Sequence, residues 1–402
     1  MTSSWSERKL GDLIQINPDA LNKTYPYSEI EYLDISSVGT GYYTETCHLK
    51  LEEAPSRAKR LVSDGDTIIS TVRPGNKSYC YLKKTTPRMV VSTGFAVLRA
   101  KKDLLDERFL YYLVSNPAFT EYLVAHEKGA AYPAVGTETI ENAIVNIPDL
   151  PTQKKISDIL GSLDDKIELN RRMNETLEQM AMALYKHWFV DFGPFQDKTE
   201  DGIPIGWTSG YLGEISDIIM GQSPKSSYYN NVGEGLPFHQ GVTNFGDRIP
   251  KHEVYSSQIL KVAKRGDILV SVRAPVGRIN IADRDIVIGR GLSAFRHKSN
   301  KMSYLFYTLK NIFKEEDSIG SGTVFNSVSK NDLEKIPILI PPNEIIEQFE
   351  NQVKEIDRLI LTNIFEIRSL IETRDYLLPR LLSGEIEVRE AEEQVEEVLA
   401  NA

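Results

Sequence analysis

Cysteine is nearly absent from this chain of 402 residues. There are two, Cys47 and Cys80, and neither has a partner at metal-ligand spacing. That excludes a disulfide-stapled fold and a cysteine-based zinc site, and it makes a reducing cytoplasm the expected location. The six histidines are scattered without pairwise ligand spacing, so no bound metal is expected. No apolar run approaches the length of a membrane span, and the first residues lack a charged-then-apolar leader, so no membrane association is expected. A GxxxxGK(S/T) loop is missing too, which excludes a P-loop nucleotide site.

What the chain does contain is a pattern used twice. Ile156, Leu160, Leu163, Ile167, Asn170, Asn174, Leu177, Ala181, Leu184 and Trp188 follow one another in alternating steps of four and three. Phe349, Val353, Ile356, Ile360, Asn363, Ile367, Leu370, Arg374, Leu377 and Leu381 do the same in the same phase, 193 residues later (349 − 156 and 381 − 188). This spacing keeps apolar side chains on one helical seam, as in coiled coils. An Asn on such a seam costs stability and fixes register, so Asn170 and Asn363 point to two matched helices that pair with each other. Asp164 and Asp357 share the same offset.

The duplication extends into the globular parts. Trp5 and Leu10-Gly11 recur as Trp207 and Leu212-Gly213, and "GDTIISTVRP" from Gly65 recurs as "GDILVSVRAP" from Gly266. "FLYYL" from Phe109 parallels "YLFYTL" from Tyr304 in an amphipathic helix. Pro151 with Thr152, and Pro342 with Asn343, predict a proline stop followed by a helix cap. "FGPFQDKTEDGIPIGW" from Phe192 reads as a linker. Each half is a mixed α/β unit followed by a long helix.

Charge is informative by position. The net charge is −10, but residues 385–402 hold seven Glu and one Arg, which leaves −4 for residues 1–384. The acidic tail reads as a solvated or frayed end. Arg57 to Lys102 has eleven Lys/Arg against Asp64 and Asp66, a net of +9, and Lys261 to Lys301 has ten against Asp267, Asp283 and Asp285, a net of +7. Both windows straddle the "GD…S" strand. Two equivalent basic stripes in an acidic chain are the footprint of a phosphate-binding surface, although a solvated sheet face is the plainer alternative. The candidates in the first window are Arg57, Lys59, Arg60, Arg73, Lys77, Lys83 and Lys84, with Tyr79 and Tyr81 nearby. In the second they are Lys264, Arg265, Arg273, Arg278 and Arg290. Arg73 and Arg273 follow a strand and precede a proline-marked turn, with an ion pair to Asp66 or Asp267 as the alternative. The glycine-rich loops "EKGAAYPAVGTE" from Glu127 and "GSGTVFNSVS" from Gly320 either approach DNA through backbone amides or serve as helix-capping turns.

Catalytic motifs are decoys. "NPAF" from Asn116 is similar to the Asn-Pro-Pro-aromatic loop of amino-methyltransferases, but its third position is Ala118, and no glycine-rich turn for a methyl donor precedes it. Pro148-Asp149 with Asp164-Asp165-Lys166 loosely matches a metal-dependent nuclease, which needs its carboxylates converging on one Mg²⁺. On a helix, Asp164 and Lys166 are expected to be solvated charges. No active site is expected.

"LLPRLLSGEI" from Leu377, "LYKHWFVDF" from Leu184 and the doubled "GDxxxSxVRxP" resemble the specificity subunits of type I restriction-modification enzymes, over about residues 5–388. The resemblance implies an α+β fold with two pseudo-symmetric mixed α/β target-recognition domains separated by two long antiparallel coiled-coil helices. The expected layout is a first recognition domain (1–151), a first spacer helix (152–191), a linker (192–206), a second recognition domain (207–342), a second spacer helix (343–382) and an acidic tail (383–402). It further implies a non-catalytic DNA-binding subunit that reads a bipartite double-stranded target, one half per domain. Its partners would be two methyltransferase subunits and translocating restriction subunits. Ile167, Asn170, Leu177, Leu184, Trp188, Ile360, Asn363, Leu370, Leu377 and Leu381 would form the helix-pair and partner interface. No cofactor is expected in this chain: S-adenosylmethionine would sit on the methyltransferase subunit, and ATP and Mg²⁺ on the nuclease subunit. Arg374 in place of Ala181 breaks the symmetry of the seam. A duplicated coiled-coil scaffold that joins partners without DNA readout is the alternative.

Overall fold

The computed structural model describes residues 5–129, 133–314, 318–319, 323–324 and 327–400. The first half opens with β1 (Ser6–Lys9), a short helix α1 (Leu10–Leu13) and β2 (Ile14–Ile16). β3 (Glu29–Leu33), β4 (Cys47–Lys50), β5 (Ala58–Leu61), β6 (Thr67–Ser70), β7 (Tyr79–Tyr81), β8 (Met89–Ser92) and β9 (Phe95–Ala100) follow. Helices α2 (Glu107–Ser115), α3 (Pro117–Ala125) and α4 (Thr137–Asn142) lead to β10 (Ile144–Ile147), which pairs with β1, and then to the long helix α5 (Leu150–Phe189). Two four-stranded sheets result. One has the order β2-β9-β6-β7 and is antiparallel throughout. The other has the order β4-β3-β8-β5, in which β3 and β8 run parallel.

The second half repeats this scheme after a small hairpin of β11 (Thr199–Glu200) and β12 (Ile203–Pro204). Its elements are β13 (Thr208–Tyr211), α6 (Leu212–Ile215), β14 (Ser216–Met220), β15 (Tyr229–Asn230), β16 (Leu236–His239), β17 (Tyr255–Ser256), β18 (Val262–Ala263), β19 (Ile268–Ser271), β20 (Ile279–Ile281), β21 (Ile286–Ile288) and β22 (Leu292–His297). Then come α7 (Met302–Ile312), the pair β23 (Ser318–Ile319) and β24 (Thr323–Val324), α8 (Lys330–Glu334), β25 (Pro337–Ile340), the long helix α9 (Asn343–Ser383) and α10 (Val388–Ala400). The order β14-β22-β19-β20 matches that of the first antiparallel sheet strand for strand. In the other sheet, β15-β17-β16-β21-β18, the pair β16 and β21 is parallel, as β3 and β8 are. The repeated Leu-Gly has a packing reason. A Cβ on Gly11 would lie 3.1 Å from Glu141 of α4, and one on Gly213 would lie 3.0 Å from Glu334 of α8. Leu10 and Leu212 beside them are fully buried.

The chain folds as two compact units, Met1–Arg171 with Ile364–Ala402, and Arg172–Asn363. Each unit therefore holds half of each long helix. In the first unit Ile156, Leu160, Leu163 and Ile167 of α5 share a core with Ile367, Leu370, Leu377 and Leu381 of α9 and with Phe109 and Tyr112 of α2. The helices run antiparallel there, because Asp164 meets Arg374 at 2.8 Å while Lys166 meets Glu366 at 2.9 Å. In the second unit Ala181, Tyr185 and Trp188 share a core with Phe349, Val353, Tyr304 and Tyr307. There Asn174 faces Asn363 and Tyr185 faces Phe349, again an antiparallel order.

Several expectations need correction. Asn363 is buried and donates to the Asn174 side chain at 2.9 Å, whereas the buried Asn170 amide NH₂ finds no acceptor among the described residues. Asp164 is not a solvated charge: its side chain is 18% exposed, and it accepts from the Tyr112 hydroxyl at 2.7 Å and from Arg374 at 2.8 Å. Its counterpart Asp357 accepts from the Tyr307 hydroxyl at 2.8 Å and from Arg248 at 2.6 Å. Asp149, not Thr152, caps α5 by accepting the Thr152 N–H at 3.0 Å. Asn116 caps α3 through the Ala118 N–H, which gives "NPAF" a local structural job. Phe192 and Phe195 in the expected linker pack on Trp207. The acidic tail is helical over α10, with Ala391 and Val395 buried in the core of the first unit.

Asp164→Ala and Asp357→Ala should each destabilise the protein by about 2–3 kcal/mol, because each strands a buried phenol and takes a carboxylate from a mostly buried guanidinium, leaving Arg374 with the exposed Asp375 alone. Urea unfolding checks this, with the exposed Asp158→Ala expected within about 0.5 kcal/mol of the parent. Burial lowers His239 to about 4, with His252 adding to it, and burial likewise lowers His297 to about 4. Between pH about 4 and 6.5 the unfolded chain binds protons at these two positions that the folded chain refuses. Stability should therefore rise with pH across that window, by about 1.4 kcal/mol per pH unit per histidine. Urea midpoints from pH 4.5 to 7.5 should show a flatter slope in His239→Gln.

Candidate nucleic-acid interface

The doubled "GD…S…R" segment builds the same device in both halves. Asp66 is fully buried; it accepts the Ser63 N–H at 2.8 Å and takes Arg99 of the neighbouring strand β9 bidentately at 2.7 and 2.8 Å. Asp267 repeats this with the Lys264 N–H at 2.7 Å and with Arg296 of β22 at 2.7 Å twice. The fork geometry fixes the start of each central strand. At the other end a buried serine holds the turn. Ser70 donates to the Val72 carbonyl at 2.8 Å, and Ser271 donates to the Pro275 carbonyl at 2.6 Å while accepting the Arg278 N–H at 2.9 Å. Arg73 and Arg273 emerge from these turns with exposed side chains. Since Asp66 and Asp267 are committed to Arg99 and Arg296, the ion pairs considered for Arg73 and Arg273 do not form, and neither is ion-paired among the described residues.

Other strand ends meet these turns. The Thr71 N–H bonds to the Gly94 carbonyl at 2.8 Å, and the Val272 N–H bonds to the Gly291 carbonyl at 2.9 Å, next to the ends of the parallel strands β8 and β21. The glycine-rich loops also arrive here. The Arg73 N–H donates to the Pro133 carbonyl at 2.8 Å, and Arg273 bridges to Ser327. Residues 130–132, 320–322 and 325–326 of those loops lie outside the described residues.

The remaining candidates separate by burial and pairing. Lys59, Lys77 and Lys84 are exposed in the first half, as are Arg265 and Arg290 in the second. Arg57 is exposed and 3.3 Å from Asp34, and Arg278 is exposed on the turn held by Ser271. Arg60 is half-buried, and burial depresses its guanidinium from the usual value; one amino group reaches the Thr93 carbonyl at 3.4 Å. Lys264 pairs with Asp285 at 2.7 Å. Two candidates are withdrawn. Tyr79 is 7% exposed, its hydroxyl donates to the Ser115 carbonyl and burial pushes its pKa up to about 12, so it is a core residue. Lys83 is held by Asp165 of α5, which Arg108 also grips at 2.9 Å, and the alkyl-ammonium is thereby turned toward the helix. Burial raises the Asp165 carboxyl, but Arg108 and Lys83 outweigh it and hold the group below the ordinary range.

Both basic windows are thus weaker than their formal charge. Arg57, Lys83, Arg88, Arg99 and Lys102 are ion-paired in the first, and Lys264, Arg284, Arg296 and Lys301 in the second. Sequence reading overlooked Arg99 and Arg296 as structural partners, although their shared place in the duplicated sheet was a usable signal. It also overlooked Asp34 and Gln240, which have no identity across the repeat to draw attention. No group of three metal-ligating side chains that could hold an ion exists among the described residues, and none of their helices is long and apolar enough to cross a membrane.

Comparison with known proteins places this arrangement. The family model described as the type I restriction modification DNA specificity domain matches twice, over residues 2–179 and 204–373. The chain is 31% identical over 408 residues to the putative type I restriction enzyme MjaX specificity subunit of Methanocaldococcus jannaschii, covering 96% of this chain and 94% of that one. It is 28% identical over 461 residues to the type I restriction enzyme HindI specificity subunit of Haemophilus influenzae, covering 96% of this chain and 100% of that one. The fold is similar to the crystal structure of the type I restriction-modification S subunit from M. genitalium, with a TM-score of 0.57 at 16% identity over 94% of this chain and 96% of that one. With both halves matched and the two-sheet scheme repeated in each, the chain belongs to the family of type I restriction-modification DNA specificity subunits, non-catalytic recognition components with two target-recognition domains.

Proposed function

We propose that this chain reads a bipartite double-stranded DNA target, with residues 1–151 reading one half and residues 207–342 the other, and that it brings two methyltransferase subunits and translocating restriction subunits to that target. The observation that carries the reading is that Arg73 and Arg273, neither ion-paired among the described residues, stand exposed on turns held by the equivalent buried serines Ser70 and Ser271. A scaffold without DNA readout gives no reason for the same exposed arginine in both halves. Lys59, Lys77, Lys84, Arg265 and Arg290 supply exposed positive charge for phosphates, which position a protein on duplex, while base edges give the sequence choice. The long helices α5 and α9, of 40 and 41 residues, are each about 60 Å long and serve as the spacer that sets the gap between half-sites. In this reading the methyl donor binds the methyltransferase subunit, and ATP and Mg²⁺ bind the restriction subunit.

Arg73→Ala and Arg273→Ala should each cost about 1–3 kcal/mol in binding to the cognate duplex and relax choice at one position of one half-site. Fluorescence anisotropy across a salt series checks this, and unchanged affinity in both variants removes these residues from the interface. Replacing residues 1–151 with the corresponding segment of a relative should change one half of the methylated sequence and leave the other half as it was. Sequencing of methylated positions after co-expression with a methyltransferase subunit reads the outcome, and a change in both halves contradicts independent reading.

A further inference from the structure

Within each half the described residues form a single parallel strand pair, and its last aligned residues are Leu33 with Val91 in β3 and β8, and His239 with Ile288 in β16 and β21. The next residues on β3 and β16 are Asp34 and Gln240, which are therefore topologically equivalent although chemically unlike. Both stand beside the strand ends that carry Arg73 and Arg273. The Gly291 N–H bonds to the Gln240 carbonyl at 3.1 Å, and the Gly291 carbonyl accepts the Val272 N–H at 2.9 Å, one residue before Arg273. Gly94 takes the same place in the first half, accepting the Thr71 N–H at 2.8 Å and lying against Ile35, where a Cβ would come within 2.1 Å of that side chain. A Cβ on Gly291 would meet the Gln240 carbonyl at 2.4 Å, so this approach admits only glycine.

Both side chains are aimed by neighbours. The Gln240 side chain is exposed, and its Oε1 accepts the Ser223 hydroxyl at 2.7 Å. Ser223 is itself fixed by accepting the Arg290 N–H at 3.1 Å. The Gln240 amide NH₂ has no partner among the described residues, so a fixed donor edge is left facing solvent. Asp34 Oδ2 accepts from the Tyr32 hydroxyl at 2.7 Å with Arg57 Nε at 3.3 Å, and its Oδ1 accepts from the Ser36 N–H and the Ser36 hydroxyl, each at a longer 3.3 Å. It is an oriented, partly exposed acceptor beside Arg57, and a carboxylate opposes phosphate binding. Such a group is suited to a base amino group instead.

Resting on the proposed DNA reading, we propose that Asp34 and Gln240 are equivalent base-reading residues, one per half-site: Asp34 accepts from the exocyclic amino group of a cytosine, and Gln240 pairs with the N6/N7 edge of an adenine. Ser223 is a positioning residue for Gln240. The unlike chemistry at one topological position makes the two half-sites different in sequence, although the domains share a fold.

The test uses the full chain with a methyltransferase subunit, a duplex library randomised across the target, and sequencing of methylated positions. Asp34→Asn keeps the size of the side chain and exchanges an acceptor for a donor. It should reduce preference about ten-fold or more at one cytosine of one half-site and leave the other half-site unchanged. Gln240→Ala should do the same at one adenine of the other half-site, and Ser223→Ala should weaken that same position only. Unchanged base preference in folded Asp34→Asn and Gln240→Ala, or a uniform loss over all sequences, overturns the proposal while the bipartite reading stands. A parent complex that methylates without sequence preference removes the reading itself, and this proposal with it.

Discussion

Two aspartates, one on each long helix, tie the sheets to the rods. Asp164 receives the hydroxyl of Tyr112 from α2, and Asp357 receives that of Tyr307 from α7. Because α2 and α7 pack on the central strands of their own sheets, the two bonds set how each recognition domain seats on its segment of helix. The neutralising cation comes from a different place in each unit. In the first it is Arg374, on the seam of α9, and in the second it is Arg248, from the loop between β16 and β17. Arg248 is buried to 3% exposure, against the ring of Phe306 at 4.3 Å. Removing two charges from water is costly, so such nodes persist where each acid has both a cation and a hydroxyl. The duplication kept the acid and the phenol and let the cation change.

That difference explains one of the two polar-for-apolar breaks in the repeated seam, the other being Asn174 against Ile367. Ala181 is fully buried in the second unit, where Arg248 already supplies the charge, so a small side chain suffices. In the first unit no loop arginine among the described residues reaches Asp164, and Arg374 takes the role from within the helix pair. An arginine at a coiled-coil core position looks like a defect in a list of heptads. It is the counter-ion of an acid 210 residues away.

Much of the architecture was legible because it depends on period and repetition. The helical seam, the Leu-Gly contact and the Ser-held arginine turn all use short-range spacing, and spacing survives in a sequence. What escaped depends on pairing across strands. Nothing local distinguishes Arg99 from Arg73, yet one is locked to Asp66 across an antiparallel ladder and the other is exposed. Tyr79 and Tyr81 flank Cys80 on a three-residue strand too short for alternation to reveal which faces are covered. The tail misled through its charge, since six surplus negative charges concealed Ala391 and Val395 on the buried side of α10. Asp34 and Gln240 were invisible because their equivalence lies in topology and not in residue type.

The division into units has a consequence for how the molecule is made. The second unit is one unbroken stretch, Arg172–Asn363, whereas the first is assembled from both ends of the chain. During synthesis the sheets of the first unit leave the ribosome before the second unit, but the α9 residues that complete their core, Ile367 to Leu381, and the helix α10 follow after it. The second unit can close while Ile156, Leu160 and Leu163 of the first still lack the α9 side of their core. Every nascent chain thus passes through a stage in which the unit begun earlier is less finished than the one begun later, when exposed apolar surface is prone to association. A ribosome that stops short of Ile364 releases a protein with one sound recognition domain and one open core, a product for quality control and not half a reader.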